Sequence, residues 1–405
     1  MREHPFRELA RRGTALLGLN ASMIAMIVLV VFIGLGEKMA ERFLPLYLIA
    51  LGGSTIAVGS LNAMDNLLSA LYSFPGGWLS DRLGYKRALV LFTLVAMAGY
   101  LLVIFVPAWW AVFAGALFFI SWTAITLPAV MSMVSKAVPK EKRTMGVTVH
   151  SFVRRIPMAL GPVIGGALIG ALGRIAGVRA AFAAAFVLGG AAILFVLRFM
   201  KDEQPGKAKK SGSLLASLRF ISPPLRNLLV SDILIRFAEQ IPYAFVVLWV
   251  VDVTGHSELQ FGLLTTIEMV TAMLVYIPVA YLADRSTKKP FVLITFGFFT
   301  LFPLVLLGSR TFVMLALAFV VRGLKEFGEP TRKALIMDLA PEDAKALTFG
   351  AYYLVRDVIV SIAALSSAFL WNVSPATNFL VAAGCGALGT AWFAIFGRDT
   401  ARTPE

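Results

Sequence analysis

The chain has 405 residues, 59% of them hydrophobic and 15% charged, with a mean hydropathy of +0.81. No ordinary soluble domain carries that much apolar surface, so composition places the chain in a membrane and excludes a typical soluble enzyme. The formal net charge of +14 would fit a nucleic-acid binder, but its placement along the chain makes it a topology signal instead.

The chain opens with Arg2, Arg7, Arg11 and Arg12 ahead of a long apolar stretch that lacks a small-residue cleavage site, so it reads as a retained helix. Apolar stretches follow over 21–48, 54–80, 88–106, 109–135, 145–172 and 178–199, then over 224–251, 258–284, 290–308, 311–337, 345–371 and 376–396. Crossing ~30 Å of hydrocarbon takes roughly 20 helical residues, and in lipid only a helix satisfies every backbone group within such a segment. The expected fold is therefore an all-α polytopic membrane protein with twelve transmembrane helices. Residues 200–223 break the pattern with Lys201, Lys207, Lys209 and Lys210 among Pro205, Gly206, Ser211, Gly212 and Ser213, a flexible linker composition. A short amphipathic turn at the membrane surface is expected over 214–221. This divides the chain into a six-helix half over 1–199, a linker over 200–223 and a second six-helix half over 224–405.

Alternating the spans puts 26 of the 37 Lys and Arg residues on one side, with only Arg174, Arg179 and Arg310 on the other. The excess places both termini in the cytoplasm and lets the basic turns contact anionic lipid headgroups. Trp109 and Trp110 fit the opposite interface belt. Cys385 is the single cysteine, so an intrachain disulfide is excluded, and His4, His150 and His256 are too scattered to suggest a metal site. Neither a cofactor nor a nucleic-acid partner is expected.

The halves repeat one another. Asp65 falls on Glu268, Pro75 on Pro278 and Asp81 on Asp284; Pro128 falls on Pro330, Pro139 on Pro341, and Val153-Arg154-Arg155 on Val355-Arg356-Asp357, at an offset constant to within one residue. Parallel six-helix repeats with a binding site between them are a recurring transporter plan. The most specific local pattern is Gly77-x-x-x-Asp81-Arg82-x-Gly84-x-Lys86-Arg87, between the second and third spans. A partial copy, Ala280-x-x-x-Asp284-Arg285-x-x-Lys288-Lys289, lies at the same place in the second half. Gly77 permits close helix approach and Gly84 a tight turn. Asp81 can accept hydrogen bonds from the amides that start a neighbouring helix, while Lys86 and Arg87 anchor the turn.

On these motifs the chain resembles the major facilitator superfamily over essentially its whole length. The resemblance implies alternating access and a role for the 77–87 turn as a latch on the outward-open state. Gly161-Pro162-x-x-Gly165-Gly166 resembles the end of the helix 5 motif of antiporter branches, without its upstream glycine. No arginine lies around 119–126, where proton-coupled drug exporters carry one. Glu41-Arg42-Phe43 resembles part of a proton-coupled peptide symporter signature, with Lys38 where the first glutamate belongs.

Charge inside the spans is the remaining signal. The acids are Glu37, Glu41, Asp65, Asp232, Glu239, Glu268, Glu326, Glu329 and Asp357; the bases are Lys38, Arg42, Arg154, Arg155, Arg236, Arg322, Lys325 and Arg356. Each costs at least ~2.5–3.5 kcal/mol at the bilayer centre, so interior pairing is expected. Asp232, Arg236 and Glu239 share a helical face, as do Arg322, Glu326 and Glu329, with Lys325 in reach of Glu329. Proton-carrier candidates are the acids expected near mid-depth, Asp65, Glu268, Glu37 and Glu326, where desolvation poises a carboxyl group for proton exchange. Asp65 and Glu268 have no base within one turn of their own helix. Substrate contacts are expected from Arg154, Arg155, Arg322 and Arg356, whose planar forks suit carboxylate or phosphate, with Asp357, Arg236, Glu41 and Arg42 in the same cavity. Others of the set are expected to be static ion pairs.

The expected function is a secondary transporter in the cytoplasmic membrane, acting as a monomer and not an enzyme. Proton-driven export of an amphipathic, drug-like solute is one reading. Proton-coupled symport of a polar or zwitterionic metabolite is the alternative.

Overall fold

The computed structural model describes residues 21–120, Trp122, Thr126, and residues 143–201, 221–283, 287–341 and 345–399; these are helical, with no strand among them. The helices are α1 (Ala21–Glu41), α2 (Leu44–Ala50), α3 (Thr55–Leu83), α4 (Tyr85–Phe105), α5 (Trp109–Phe119), α6 (Arg143–Leu172) and α7 (Arg174–Phe199). The second half has α8 (Pro223–Tyr243), α9 (Val246–Leu248, continuing as a π-helical turn over Trp249–Val253), α10 (Glu258–Ala283) and α11 (Lys289–Gly308). It ends with α12 (Phe312–Leu324), α13 (Glu329–Leu339), α14 (Lys345–Val373) and α15 (Pro375–Phe396). Among the described residues, seven helices are long and apolar enough to cross a membrane, or up to eight if α8 and α9, bent by 42°, count as one span. The linker over 202–220 and, apart from Trp122 and Thr126, the part of the fourth span beyond Ile120 lie outside the described residues.

Among the described residues, three predicted spans are broken. The first stops at Glu41 and restarts at Leu44, with Pro45 in the first turn of α2, where a missing N–H costs nothing. The seventh bends at Ala244 and Phe245, just after Pro242. The tenth opens over Lys325–Gly328 and resumes as α13, whose first turn carries Glu329 and Pro330, an acid and a proline suited to a helix start. Elsewhere capping is ordinary: Ser374 accepts from Thr377 N at 3.0 Å to start α15.

The chain forms two compact units. The first comprises residues 1–41, 71–161 and 179–209, and the second 42–70, 162–178 and 210–405. In the first, Tyr100, Phe119 and Phe182 pack ring on ring between α4, α5 and α7. In the second, α8 carries Leu225, Leu228 and Ile235 into a core with Val292, Phe296, Leu335, Ile336 and Phe393. Outward-facing residues are large and apolar, among them Phe105, Val187, Leu274 and Ile362, and Trp109 and Trp110 are exposed as an interface belt requires.

At one end of the second unit, segments far apart in sequence are clamped together. Arg174 reaches Asp252 at 2.6 Å and Glu258 at 3.1 Å. Thr55 donates to Asn372 at 2.6 Å. A Cβ on Gly166 would sit 2.4 Å from the carbonyl oxygen of Glu258, so α6 and the start of α10 approach as closely as a glycine allows.

Candidate functional site

The second unit holds a buried ionic ladder in which cations and anions alternate. Arg322 Nε lies 3.3 Å from Glu268, which lies 3.7 Å from Lys325; Lys325 then pairs with Glu239 at 2.6 Å, and Glu239 with Arg236. Arg236 continues to Glu329 at 3.2 Å, Glu329 to Arg332 at 2.6 Å, Arg332 to Asp232, Asp232 to Arg356 at 3.4 Å, and Arg356 to Asp357 at 2.7 Å. Lys333, half exposed, branches off Glu329 at 3.5 Å. Five helices supply the members: α8 (Asp232, Arg236, Glu239), α10 (Glu268), α12 (Arg322, with Lys325 just beyond its end), α13 (Glu329, Arg332) and α14 (Arg356, Asp357). Each member meets at least one opposite charge, which offsets part of its desolvation penalty, while Asp232 Oδ1, Arg236 Nε and Glu268 Oε2 are buried without a hydrogen bond.

Asp232 is the densest node. Its Oδ2 accepts from Arg332, from Tyr352 Oη at 3.1 Å and from Arg356, and Arg236 lies 3.8 Å from its Oδ1. Glu268 is the sparsest acid, since only its Oε1 faces the cations and its Oε2 is buried with no hydrogen-bond partner.

Beside the Glu268 end lies a neutral polar patch. Asn62 and Asn66, one turn apart on α3, donate to the backbone and side-chain oxygens of Gln240 at 3.2 and 3.3 Å. One turn beyond Gln240, the Tyr243 ring has Arg42 over it at 5.0 Å and Arg322 at 5.8 Å. Asp65, half-buried on α3, accepts from Ser69 at 3.4 Å.

The structure therefore brings Arg42, Asp65, Arg236, Glu268, Arg322, Arg356 and Asp357 into the second unit, and gathers Glu37, Glu41, Arg154 and Arg155 in the first. There Lys38 bridges Glu37, at 3.3 Å, and Glu41, and Arg154 interacts electrostatically with Glu37. The Asp232–Arg236–Glu239 face holds. The predicted contact of Lys325 with Glu329 does not: the break over Lys325–Gly328 removes the helical spacing and turns Lys325 towards Glu239 and Glu268. The same break leaves Glu326, half-buried, just past the end of α12. Glu268, expected to lack a partner on its own helix, finds two in the tenth span.

Arg332 was missed. It reads as one of a cytoplasmic basic pair with Lys333, yet it is 1% exposed and sits at the middle of the ladder. The available signal was its spacing of three from Glu329, an acid already placed inside a span.

In the loop motif, Gly77 and Asp81 lie in the last turns of α3, and Gly84 takes φ 79°, a left-handed turn suited to glycine, just before α4. Arg82 stacks over Trp78 at 4.6 Å, Lys86 donates to the carbonyl of Leu197 at 3.1 Å, and Arg87 is exposed. Asp284 and Arg285 lie outside the described residues. In α6, Gly161, Pro162, Gly165 and Gly166 are all buried, and a Cβ on Gly161 would meet the Lys38 backbone at 2.8 Å. Among the described residues no group of three or more His, Cys, Asp or Glu is placed to hold a metal ion.

The family model described as Major Facilitator Superfamily matches residues 26–237 and 228–405. No curated protein matches the chain. Among solved structures, the chain is similar to the nucleoside transporter NupG, at 14% identity and a TM-score of 0.79, with 94% of this chain and 100% of that one covered. It is also similar to a POT family transporter in complex with a thioalcohol-conjugated peptide, at 13% identity and a TM-score of 0.75, covering 91% and 95%. A third, a bacterial homologue of the human lysosomal transporter Spinster in an inward-facing conformation, has 12% identity and a TM-score of 0.69, covering 92% and 94%. At these identities the likeness is one of fold.

Proposed function

The chain belongs to the major facilitator superfamily and is a secondary transporter, and from this premise we propose that it couples the proton gradient to movement of a polar or zwitterionic solute. The proposal includes twelve spans as two six-helix halves, 1–199 and 224–405, joined by the 200–223 linker, with both termini cytoplasmic and a monomer in the cytoplasmic membrane. The distribution of Lys and Arg supports that topology. One observation carries the coupling: Glu268 is buried between two cations with one carboxylate oxygen unpartnered, a place where a proton and a cation compete for one charge. Asp65, its counterpart in the first half, Glu37 and Glu326 remain the other proposed carriers. Arg42, Arg236, Arg322, Arg356 and Asp357, with Glu41, Arg154 and Arg155, are the proposed cavity residues.

The carboxamides of Asn62, Asn66 and Gln240 beside paired charges suit a solute with several hydrogen-bonding groups better than an amphipathic one. Proton antiport with export of a drug-like solute keeps one specific support, the Gly161–Gly166 segment at the closest backbone approaches of α6. Vesicles holding the purified protein and a pH dye separate the two. Symport predicts that dipeptides or nucleosides, added outside under an acidic exterior, acidify the lumen. Antiport predicts that lipophilic cations, added outside an acidic lumen, make it more alkaline. If neither arrangement shows a solute-dependent pH change, the coupling claim fails.

With the termini inside, the Arg174 clamp faces the exterior, and its closure supports a state shut to the outside. Asp81 and the 77–87 turn are the proposed latch of the opposite state. Arg174 and Asp252 are each 35% exposed and Glu258 16%, so each pair is worth only ~0.2–1 kcal/mol. Arg174→Ala is therefore expected to raise outward opening a few-fold. The readout is the rate at which an external maleimide labels Thr55→Cys in a Cys385→Ala background, and an unchanged rate removes Arg174 from the gate.

A further inference from the structure

The ladder ends differently at its two extremities. Asp357 closes one end beside Arg356, and within the ladder each other arginine is held by two or more carboxylates: Arg236 by Asp232, Glu239 and Glu329, Arg332 by Asp232 and Glu329, and Arg356 by Asp232 and Asp357. Arg322 closes the other end with one carboxylate contact, from Nε to Glu268. It is 2% exposed. Its guanidinium carbon lies 5.1 Å from the Phe302 ring centroid, 5.5 Å from Phe319 and 5.8 Å from Tyr243. A guanidinium carries five N–H donors. Among the described residues no hydrogen bond reaches the Nη edge of Arg322, whose neighbours are the faces of these rings. Aromatic rings tolerate a cation but offer no lone pair in the plane of the fork. Glu268 offers it only Oε1, an oxygen shared with Lys325. A second guanidinium, Arg42, stands over the same Tyr243 ring.

We infer that this end of the ladder is a binding site for an oxyanion, the carboxylate or phosphate group of the transported solute, received bidentately by the Nη edge of Arg322 with Arg42 and the Tyr243 phenol alongside. The group continues the alternation by one member. It satisfies donors that the protein leaves unmet, at a buried position where a planar fork discriminates for a planar or tetrahedral oxyanion and against a neutral solute. Asn62, Asn66 and Gln240 then face the uncharged part of the same molecule. The inference rests on the polar-solute reading of this site and names its charged group.

The test is binding without a gradient. Purified full-length protein in neutral detergent is melted in rising concentrations of acetate, inorganic phosphate or chloride at constant ionic strength, since a ligand that binds the folded state raises its Tm. Acetate or phosphate, and not chloride, is expected to give a saturable upward shift, and the one that does so identifies the oxyanion. Arg322→Lys keeps the charge that balances Glu268 but loses the fork, and is expected to weaken half-saturation about tenfold, the value of a charged hydrogen bond. Arg42→Lys should weaken it less, and Arg310→Gln, outside the site, not at all. Absence of a saturable shift with either oxyanion overturns the inference, as does a shift that Arg322→Lys leaves unchanged. Because no proton gradient enters the measurement, a failure of proton coupling in vesicles and a failure of anion binding here are separate results.

Discussion

Replacing Asp232 with alanine is expected to be the most destabilising single change in the second unit, by about 3–5 kcal/mol, the cost of removing one partner from a buried ion pair. Asp232 itself is fully buried, and its Oδ2 accepts from Arg332, Tyr352 and Arg356. Without it Arg332 keeps Glu329 and Arg356 keeps Asp357, while the Tyr352 hydroxyl loses its acceptor, so each buried group is left partly unmet. Asp232→Asn retains an acceptor oxygen and should fall between the variant and the parent. Fluorescence-detected size-exclusion chromatography after a heating series reads the effect as loss of the folded peak at lower temperature. A melting profile for Asp232→Ala equal to that of the parent would show that the ladder contributes nothing at its densest node.

Glu268→Gln is expected to act on function instead. The amide matches the carboxyl in size but cannot take up or release a proton. Concentration of solute against its gradient should therefore cease, while exchange of labelled for unlabelled solute at equal pH continues. The pH profile is the second readout, because a carrier acid produces a pH-dependent rate that its neutral substitute flattens. Arg322 and Lys325 lose a shared counter-charge in this variant, so some loss of stability accompanies the uncoupling. Preserved exchange distinguishes the two effects. Accumulation at the parental level with an unchanged pH profile would make Glu268 a structural member and move the proton to Asp65, Glu37 or Glu326.

The helices were legible because long apolar runs in lipid permit little else. The face shared by Asp232, Arg236 and Glu239 was legible because α8 is regular there, and regular helices convert spacing into contact. The same arithmetic misled at Lys325 and Glu329, where α12 stops at Leu324 and α13 begins at Glu329. Proline at 330 marked the place, but a proline inside a span signals a kink, a break or nothing, and only packing decides. The bend after Pro242 passed unnoticed for the same reason. Arg332 shows a different limit. In sequence, a buried arginine and a headgroup-facing one are both a cation near the end of an apolar run, and the distinguishing partner, Asp232, lies on another helix. The pairing of Glu268 with Arg322 was likewise a tertiary fact, although the need for some partner followed from the cost of an isolated charge.

The alternating ladder also limits how such a chain can change over generations. A member deleted from the interior takes a counter-charge from the neighbour on each side of it, so single replacements there carry a penalty that a neighbour's replacement relieves. Neutral drift is then open mainly to simultaneous loss of an adjacent acid and base, or to trimming from an extremity, where only one bond is at stake. Arg322 and Asp357 are the members freest to vary by that reckoning. In lineages descended from this chain, specificity would be expected to diverge first at the ladder's ends, with its interior inherited in matched pairs.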